Sequence, residues 1–219
     1  MSFISLRKAK IIFFMVCLLP FLSMVSAIFV ASFGWEIEET LWAWGVVNLG
    51  ANPIETLLHE TGGWALRFLL LSLAVTPVRK LLHWSKAIQF RRMIGLYAFF
   101  YVTCHFLVYL VLDLQFDFAI VFEDILDRPY ITVGFLAFVC AIPLAITSTH
   151  AMMRRLGKNW VKLHRLTYFI SILAVLHFLW LVKKDITEPL IYIAILVCLL
   201  GYRVFKKWGS AFTLPSPRI

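Results

Sequence analysis

Charge is scarce in these 219 residues. Lys, Arg, Asp and Glu make up 15% of the chain, against about 25% in an ordinary soluble domain, while 62% is hydrophobic and the mean hydropathy is +0.87. This shortage excludes a soluble globule, and the apolar excess excludes a disordered chain. Cysteine is scarce too. Cys17, Cys104, Cys140 and Cys198 all fall in apolar stretches without a CxxC pair, which excludes a disulfide framework and leaves them as small buried hydrophobes. No internal repeat, low-complexity segment or linker is evident, so nothing marks off a separate soluble domain. The net charge of +9 would suggest nucleic acid in a soluble protein. Here no nucleic-acid partner is expected, because the partner of so apolar a chain is membrane lipid.

Six apolar stretches are present, at about 11–33, 57–78, 93–112, 129–149, 163–182 and 188–205. Each approaches the roughly 20 residues needed to cross a bilayer as a helix. Lipid offers no partner to backbone N–H or C=O, so the spans must be helical. The expected fold is an all-α membrane protein, a single six-transmembrane-helix bundle occupying residues 1–219. Pro20 and Pro143 predict kinks, and Pro129 and Pro189 suit first-turn positions. The Thr61-Gly62-Gly63 stretch predicts a break in the second span. Val25-Ser26-Ala27 resembles a signal-peptide cleavage site, but the preceding uncharged run is longer than a signal core and reads as a span.

Acids are missing altogether from one set of loops. The N-terminus, the second-to-third loop, the fourth-to-fifth loop and the C-terminus carry seventeen bases and no acid. All twelve acids lie in the other loops and span ends, where Arg128, Lys183 and Lys184 are the only loop bases. The positive-inside rule therefore places both termini in the cytoplasm. The eight Trp lie near span ends or in loops, as in an interfacial belt, and Ala43–Asn52 reads as an outer loop lying on the interface.

The histidines are the candidate functional residues, because ionisable groups at membrane depth are costly. His105 and His177 stand on different spans, about 10 Å and 8 Å below the same outer surface at 1.5 Å per residue. Phe99, Phe100, Tyr101 and Phe106 flank one, and Phe169, Phe178 and Trp180 the other. Two imidazoles at matching depth among large apolar side chains suit the axial ligation of one haem iron; hydrogen bonding to neighbouring helices is the alternative. A zinc or copper site lacks further ligands at that depth. His164 stands at the inner mouth of the fifth span, about 20 Å from His177, but their rings differ by roughly 140° on an ideal helix. One helix face serves both only if the helix is distorted. Arg91 stands opposite His164 on the third span and cannot ligate iron. An inner site built from His164, Arg91 and Arg79 favours an anion such as a phosphate-bearing flavin, unless the arginines are topology determinants alone. Arg67, deep in the second span, wants a counter-charge, which haem propionates or Glu60 would supply. His59 suits a propionate contact, a docking partner or solvent. His83 and His150 read as ordinary edge residues, and Gly95 and Gly134 as points of close helix or cofactor approach.

The stretches HETGGWALRF (59–68), TPVRK (76–80), RRMIGLYAFFYVTCHFLVY (91–109), RPYITVG (128–134) and TSTHAMMRRLGKNWVKLHRLTYFISILAVLHFLW (147–180) resemble the MsrQ family, formerly YedZ, of the ferric reductase-like transmembrane superfamily. The similarity covers roughly residues 10–205, and the joint pattern LGKNWVKLHRLTY followed by His177 is its specific part. The resemblance implies a bacterial inner-membrane electron-transfer subunit containing haem b and FMN. It also implies a periplasmic molybdopterin partner, MsrP, that repairs oxidised methionines, with the quinone pool or a cytosolic flavin reductase as donor. The family's three histidines fall on His105, His164 and His177, and the superfamily's fourth falls near Arg91. A stand-alone ferric or quinone reductase, a His-lined metal transporter and a colourless anchor subunit are the competing readings.

Overall fold

The computed structural model describes residues 5–33, 47–182 and 185–212, with 207–212 described for backbone alone. Six helices are long and apolar enough to cross a membrane, at the six expected places: 6–32, 53–81, 91–113, 129–146, 158–181 and 187–206. The protein is therefore an all-helical, multi-pass membrane protein. In order, the helices are α1 (Leu6–Ser32), α2 (Pro53–Leu81), α3 (Arg91–Leu107), α4 (Phe118–Asp127), α5 (Pro129–Ile146), α6 (His150–Leu156), α7 (Lys158–Leu163), α8 (Leu166–Leu181) and α9 (Thr187–Phe212). A 3₁₀ turn, Ser85–Gln89, precedes α3, and a π turn, Val108–Asp113, extends it.

Two expectations need correction. Thr61-Gly62-Gly63 does not break the second span; α2 runs straight through it. Glycine weakens a helix in water, where freed backbone groups find solvent, but in lipid the intrahelical bonds have no competitor. The cysteines are not uniformly buried either: Cys17 is buried, Cys104 and Cys140 are half-buried, and Cys198 is exposed on α9. Of the proposed interfacial loop Ala43–Asn52, residues 43–46 lie outside the described residues.

The helices sort into two compact units, residues 1–68 with 92–123 and residues 69–91 with 124–219. In the first, α1 packs on α3 through two tyrosines. Pro20 lies inside α1, where it cannot donate and where its ring disturbs the preceding turn. The next rung of the ladder joins Phe21 N–H and Cys17 C=O, and the Tyr101 hydroxyl bonds both of these groups. That hydroxyl donates to Cys17 O at 2.9 Å and accepts from Phe21 N at 3.1 Å. A hydroxyl inserted at a proline is a recognised way to accommodate a kink. Tyr101 is fully buried, its ring 5.3 Å from that of Phe68, with the two planes 17° apart. Tyr97 donates to Phe14 O at 2.7 Å. Tyr101→Phe keeps the ring and strands one donor and one acceptor, so it is expected to cost about 1–3 kcal/mol, read as an earlier unfolding midpoint in detergent. Tyr97→Phe, which leaves only a carbonyl oxygen short of one bond, serves as the milder comparison.

In the second unit α5 and α8 form the most extensively packed helix pair. Ala137, Ile170 and Leu173 make its buried centre, surrounded by Leu69, Val133, Cys140, Ala141, Leu144 and Leu166. Pro129 opens α5, where its missing N–H costs nothing. Gly157 joins α6 to α7 at φ +49°, ψ −119°, a backbone state that side-chain-bearing residues avoid, which accounts for the glycine in the LGKNW stretch.

The segment between the third and fourth spans contains an additional helix, α4. Asp117 caps it, accepting from the N–H groups of Ala119 and Ile120. Phe118, Phe122 and Leu126, one turn apart, are each about two-thirds exposed. This one-sided apolar stripe suits a helix lying in a lipid interface.

Candidate functional site

His105 and His177 are held by the same device, once in each unit. His105 donates its Nδ1–H to the carbonyl of Leu58 at 3.0 Å, and His177 donates to Tyr130 O at 2.7 Å. Four residues beyond each carbonyl, one helical turn on, stands a glycine: Gly62 on α2 and Gly134 on α5. A Cβ at Gly62 would lie 3.1 Å from His105 Nδ1, and a Cβ at Gly134 would lie 2.8 Å from His177 Nδ1. Each ring is thus laid over a helix surface made bare for it and clamped to that helix's backbone. The two histidines, the two glycines and the two accepting carbonyls are each separated by the same 72 positions, from Leu58, Gly62 and His105 to Tyr130, Gly134 and His177. The same three-residue device thus occurs twice, once in each unit. A carbonyl accepts only, so it assigns the proton to Nδ1 and leaves Nε2 as the basic nitrogen of the neutral ring, the arrangement found in metal-ligating histidines.

His164 shows the same polarity on a different platform. Its Nδ1–H donates to Trp160 O at 3.1 Å, and its ring stacks on the Trp160 indole with centroids 3.8 Å apart. Trp160 is itself pinned, donating its indole N–H to Thr147 O at 2.9 Å. The Nε2 atom of His164 is buried with no hydrogen-bond partner. A buried nitrogen of this kind costs stability unless a partner satisfies it. The helix is distorted here. α7 stops at Leu163, α8 starts at Leu166, and 3₁₀-type bonds run from Arg165 N to Lys162 O and from Tyr168 N to Arg165 O. A 3₁₀ residue turns about 20° further than an α residue, so about three of them reduce the offset from roughly 140° to roughly 80°.

The remaining sequence candidates divide. Arg91 lines a cleft of about 380 Å³ with Thr76, Lys80, Tyr168, Tyr202, Arg203 and Lys206; Arg79 and His164 do not line it. Arg91 is near enough to His164 for its charge to reach the ring. Arg67 is exposed, with its guanidinium 4.9 Å from the Trp64 ring centroid, while the indole N–H of Trp64 donates to Glu60 at 3.2 Å. His59 is half exposed, its Nε2 3.9 Å from Glu55. Gly95 has open space where a Cβ would stand, so unlike Gly134 it admits no close neighbour. Among the described residues no three of His, Cys, Asp and Glu gather as a metal cluster would.

Sequence reasoning missed Gly62, Lys80, Arg203 and Lys206. The 72-residue spacing of the Gly and His pairs was the available signal for the first. For the cations, the rule that assigns bases to one membrane side had already accounted for them, and nothing in their order shows that they converge.

Comparison with known proteins agrees with this architecture. Residues 61–175 match the model of the ferric reductase like transmembrane component family. The protein-methionine-sulfoxide reductase heme-binding subunit MsrQ of Xanthomonas euvesicatoria pv. vesicatoria (strain 85-10) is 55% identical over 184 residues, 84% of each chain. The subunit of the same name from Herminiimonas arsenicoxydans is 50% identical over 164 residues, 74% of this chain and 75% of its own. No solved structure matches. With such identity over most of its length, the chain belongs to the MsrQ family of ferric reductase-like transmembrane components.

Proposed function

We propose that the protein is the haem b- and FMN-binding electron-transfer subunit of a methionine sulfoxide reductase system in a bacterial inner membrane. It passes electrons from the quinone pool or a cytosolic flavin reductase to a periplasmic molybdopterin partner of the MsrP type. The observation that carries this reading is the doubled histidine clamp. Each ring donates its Nδ1–H to a backbone carbonyl, so each presents Nε2 as its basic nitrogen, and each is held against a helix surface bared by a glycine. This donor set fits axial ligation of a haem iron by His105 and His177. A haem held by two imidazoles supplies reversible one-electron exchange and has no open position for substrate. The carbonyls of Leu58 and Tyr130 keep the ligand nitrogens basic and their rings from turning. His59, near the acidic end of α2, and Arg67, two turns further in, are suited to propionate contacts.

At the basic ends, His164 and Arg91, with Arg79 nearby in sequence, are the candidate flavin contacts. A flavin there supplies the step between two-electron donors and single electrons. The positive-inside rule orients the basic ends and both termini to the cytoplasm and the acidic loops to the periplasm, where they offer a docking face for the catalytic partner. The chain itself reduces no sulfoxide in this scheme.

A reduced-minus-oxidised visible spectrum of the detergent-purified protein, with extracted flavin measured alongside, tests the reading. Sharp b-type bands together with FMN are the expected result, and reoxidation by the molybdoenzyme is expected to exceed reoxidation by chelated iron. A colourless protein overturns the haem assignment. Equal reoxidation by both acceptors overturns the dedicated partner.

A further inference from the structure

We infer that the cleft between the basic ends of α2, α8 and α9 is a phosphate-binding site, with Lys80, Arg91, Arg203 and Lys206 as its cations. Thr76 and Lys80 are one turn apart on α2; Tyr202, Arg203 and Lys206 lie on one stretch of α9; Arg91 begins α3 and Tyr168 belongs to α8. Four cations thus line about 380 Å³ without one carboxylate. Among the described residues the only close pairs between basic and acidic side chains are His59–Glu55 and Arg128–Asp124, so none of the four cations has a carboxylate partner there.

Positive-inside sorting explains why bases occur on this side, but not why three helices bring them to one cleft. Like charges so gathered repel, and a protein would disperse them unless an anion completed the group. Arg203 is built in rather than trailing in solvent. One terminal nitrogen donates to Leu73 O at 2.6 Å and the other to Leu199 O at 3.0 Å, while the guanidinium lies 5.3 Å over the Tyr168 ring. These contacts fix the plane of the guanidinium in advance and leave further N–H donors for a ligand. Three hydroxyls, from Thr76, Tyr168 and Tyr202, stand beside the cations. Cations and hydroxyl donors without acceptor carboxylates make a set that recognises a tetrahedral oxyanion. The lining residues differ from the flavin contacts proposed above by including Lys80, Arg203 and Lys206 and leaving out Arg79 and His164. The phosphate can be borne by a phosphorylated flavin or by an anionic phospholipid headgroup.

The test compares wild-type protein with the double variant Lys80→Gln/Lys206→Gln, which removes two cations that make no described hydrogen bond. Monodisperse elution checks its fold. Fluorescence titration with FMN and with riboflavin, which differ only in the phosphate, forms one arm. Native mass spectrometry from phosphatidylcholine nanodiscs with and without cardiolipin forms the other. If the phosphate is the flavin's, FMN binds about tenfold or more tightly than riboflavin, and the variant loses that preference. If it is a lipid's, the two flavins behave alike or fail to bind, while cardiolipin is retained by wild type and lost from the variant; the cleft then stands and the flavin reading there falls. FMN bound no better than riboflavin, with no cardiolipin retained, overturns the phosphate site without touching flavin binding elsewhere. Preferences unchanged in the variant overturn it as well.

Discussion

His177→Ala is expected to abolish the low-spin b-type spectrum of the purified protein, and His105→Ala to do the same. An axial pair is a unit: with one imidazole removed, the iron loses a ligand at a depth where the described residues hold no metal-ligand cluster to replace it. The loss is therefore expected to be nearly complete rather than graded, and similar for the two positions. Added imidazole should restore part of the signal in either variant, because it fills the vacated coordination position. A misfolded variant would not recover, which separates ligand loss from collapse. His164→Ala is expected to keep the outer spectrum while lowering flavin content. Intact spectra in both His105→Ala and His177→Ala would overturn the ligand assignment.

Gly134→Ala is expected to lower haem affinity about 10–100-fold while leaving every candidate ligand in place. The added methyl would stand 2.8 Å from His177 Nδ1, 2.9 Å from Cε1 and 3.1 Å from Cγ, closer than packed atoms approach. The ring would have to turn away, giving up its bond to Tyr130 O and carrying Nε2 with it. Gly62→Ala is tight but not prohibitive, at 3.1 Å and 3.2 Å from the His105 ring, so a smaller loss is expected. Gly95→Ala meets nothing within 4 Å and should retain haem fully, with a stability gain of about 0.5–1 kcal/mol from the better helix former. Haem-to-protein ratios should rise from Gly134→Ala through Gly62→Ala to Gly95→Ala. Equal ratios for Gly134→Ala and Gly95→Ala would show that the clamp does not position the ligand.

These two glycines show how far the chain could be read without its structure. Gly95 and Gly134 look alike in sequence, each a small residue inside an apolar span, and both suggest close approach. Of the two only Gly134 has a ring against it, and Gly62, which has one too, was hidden in a stretch that suggested a helix break. A glycine's role depends on what faces it, and that belongs to another helix. Arg79 and Lys80 pose the same problem: adjacent in sequence, they point about 100° apart on a helix, and only Lys80 reaches the cleft. Tyr101, which read as a flanking aromatic, bonds the backbone beside Pro20 from a position 81 residues away.

The sequence by itself determined that this is a six-span helical membrane protein, where the spans lie, and which three histidines are candidates. Lipid makes that possible: with no solvent to satisfy the backbone, an apolar run of sufficient length has one conformation, and a polar side chain within it is conspicuous. Tertiary structure alone decided which nitrogen each histidine presents, which glycines make room for it, and which bases of one sign share a cleft. Those properties depend on the rotation of one helix against another, set by packing between residues dozens of positions apart, and no local pattern records it.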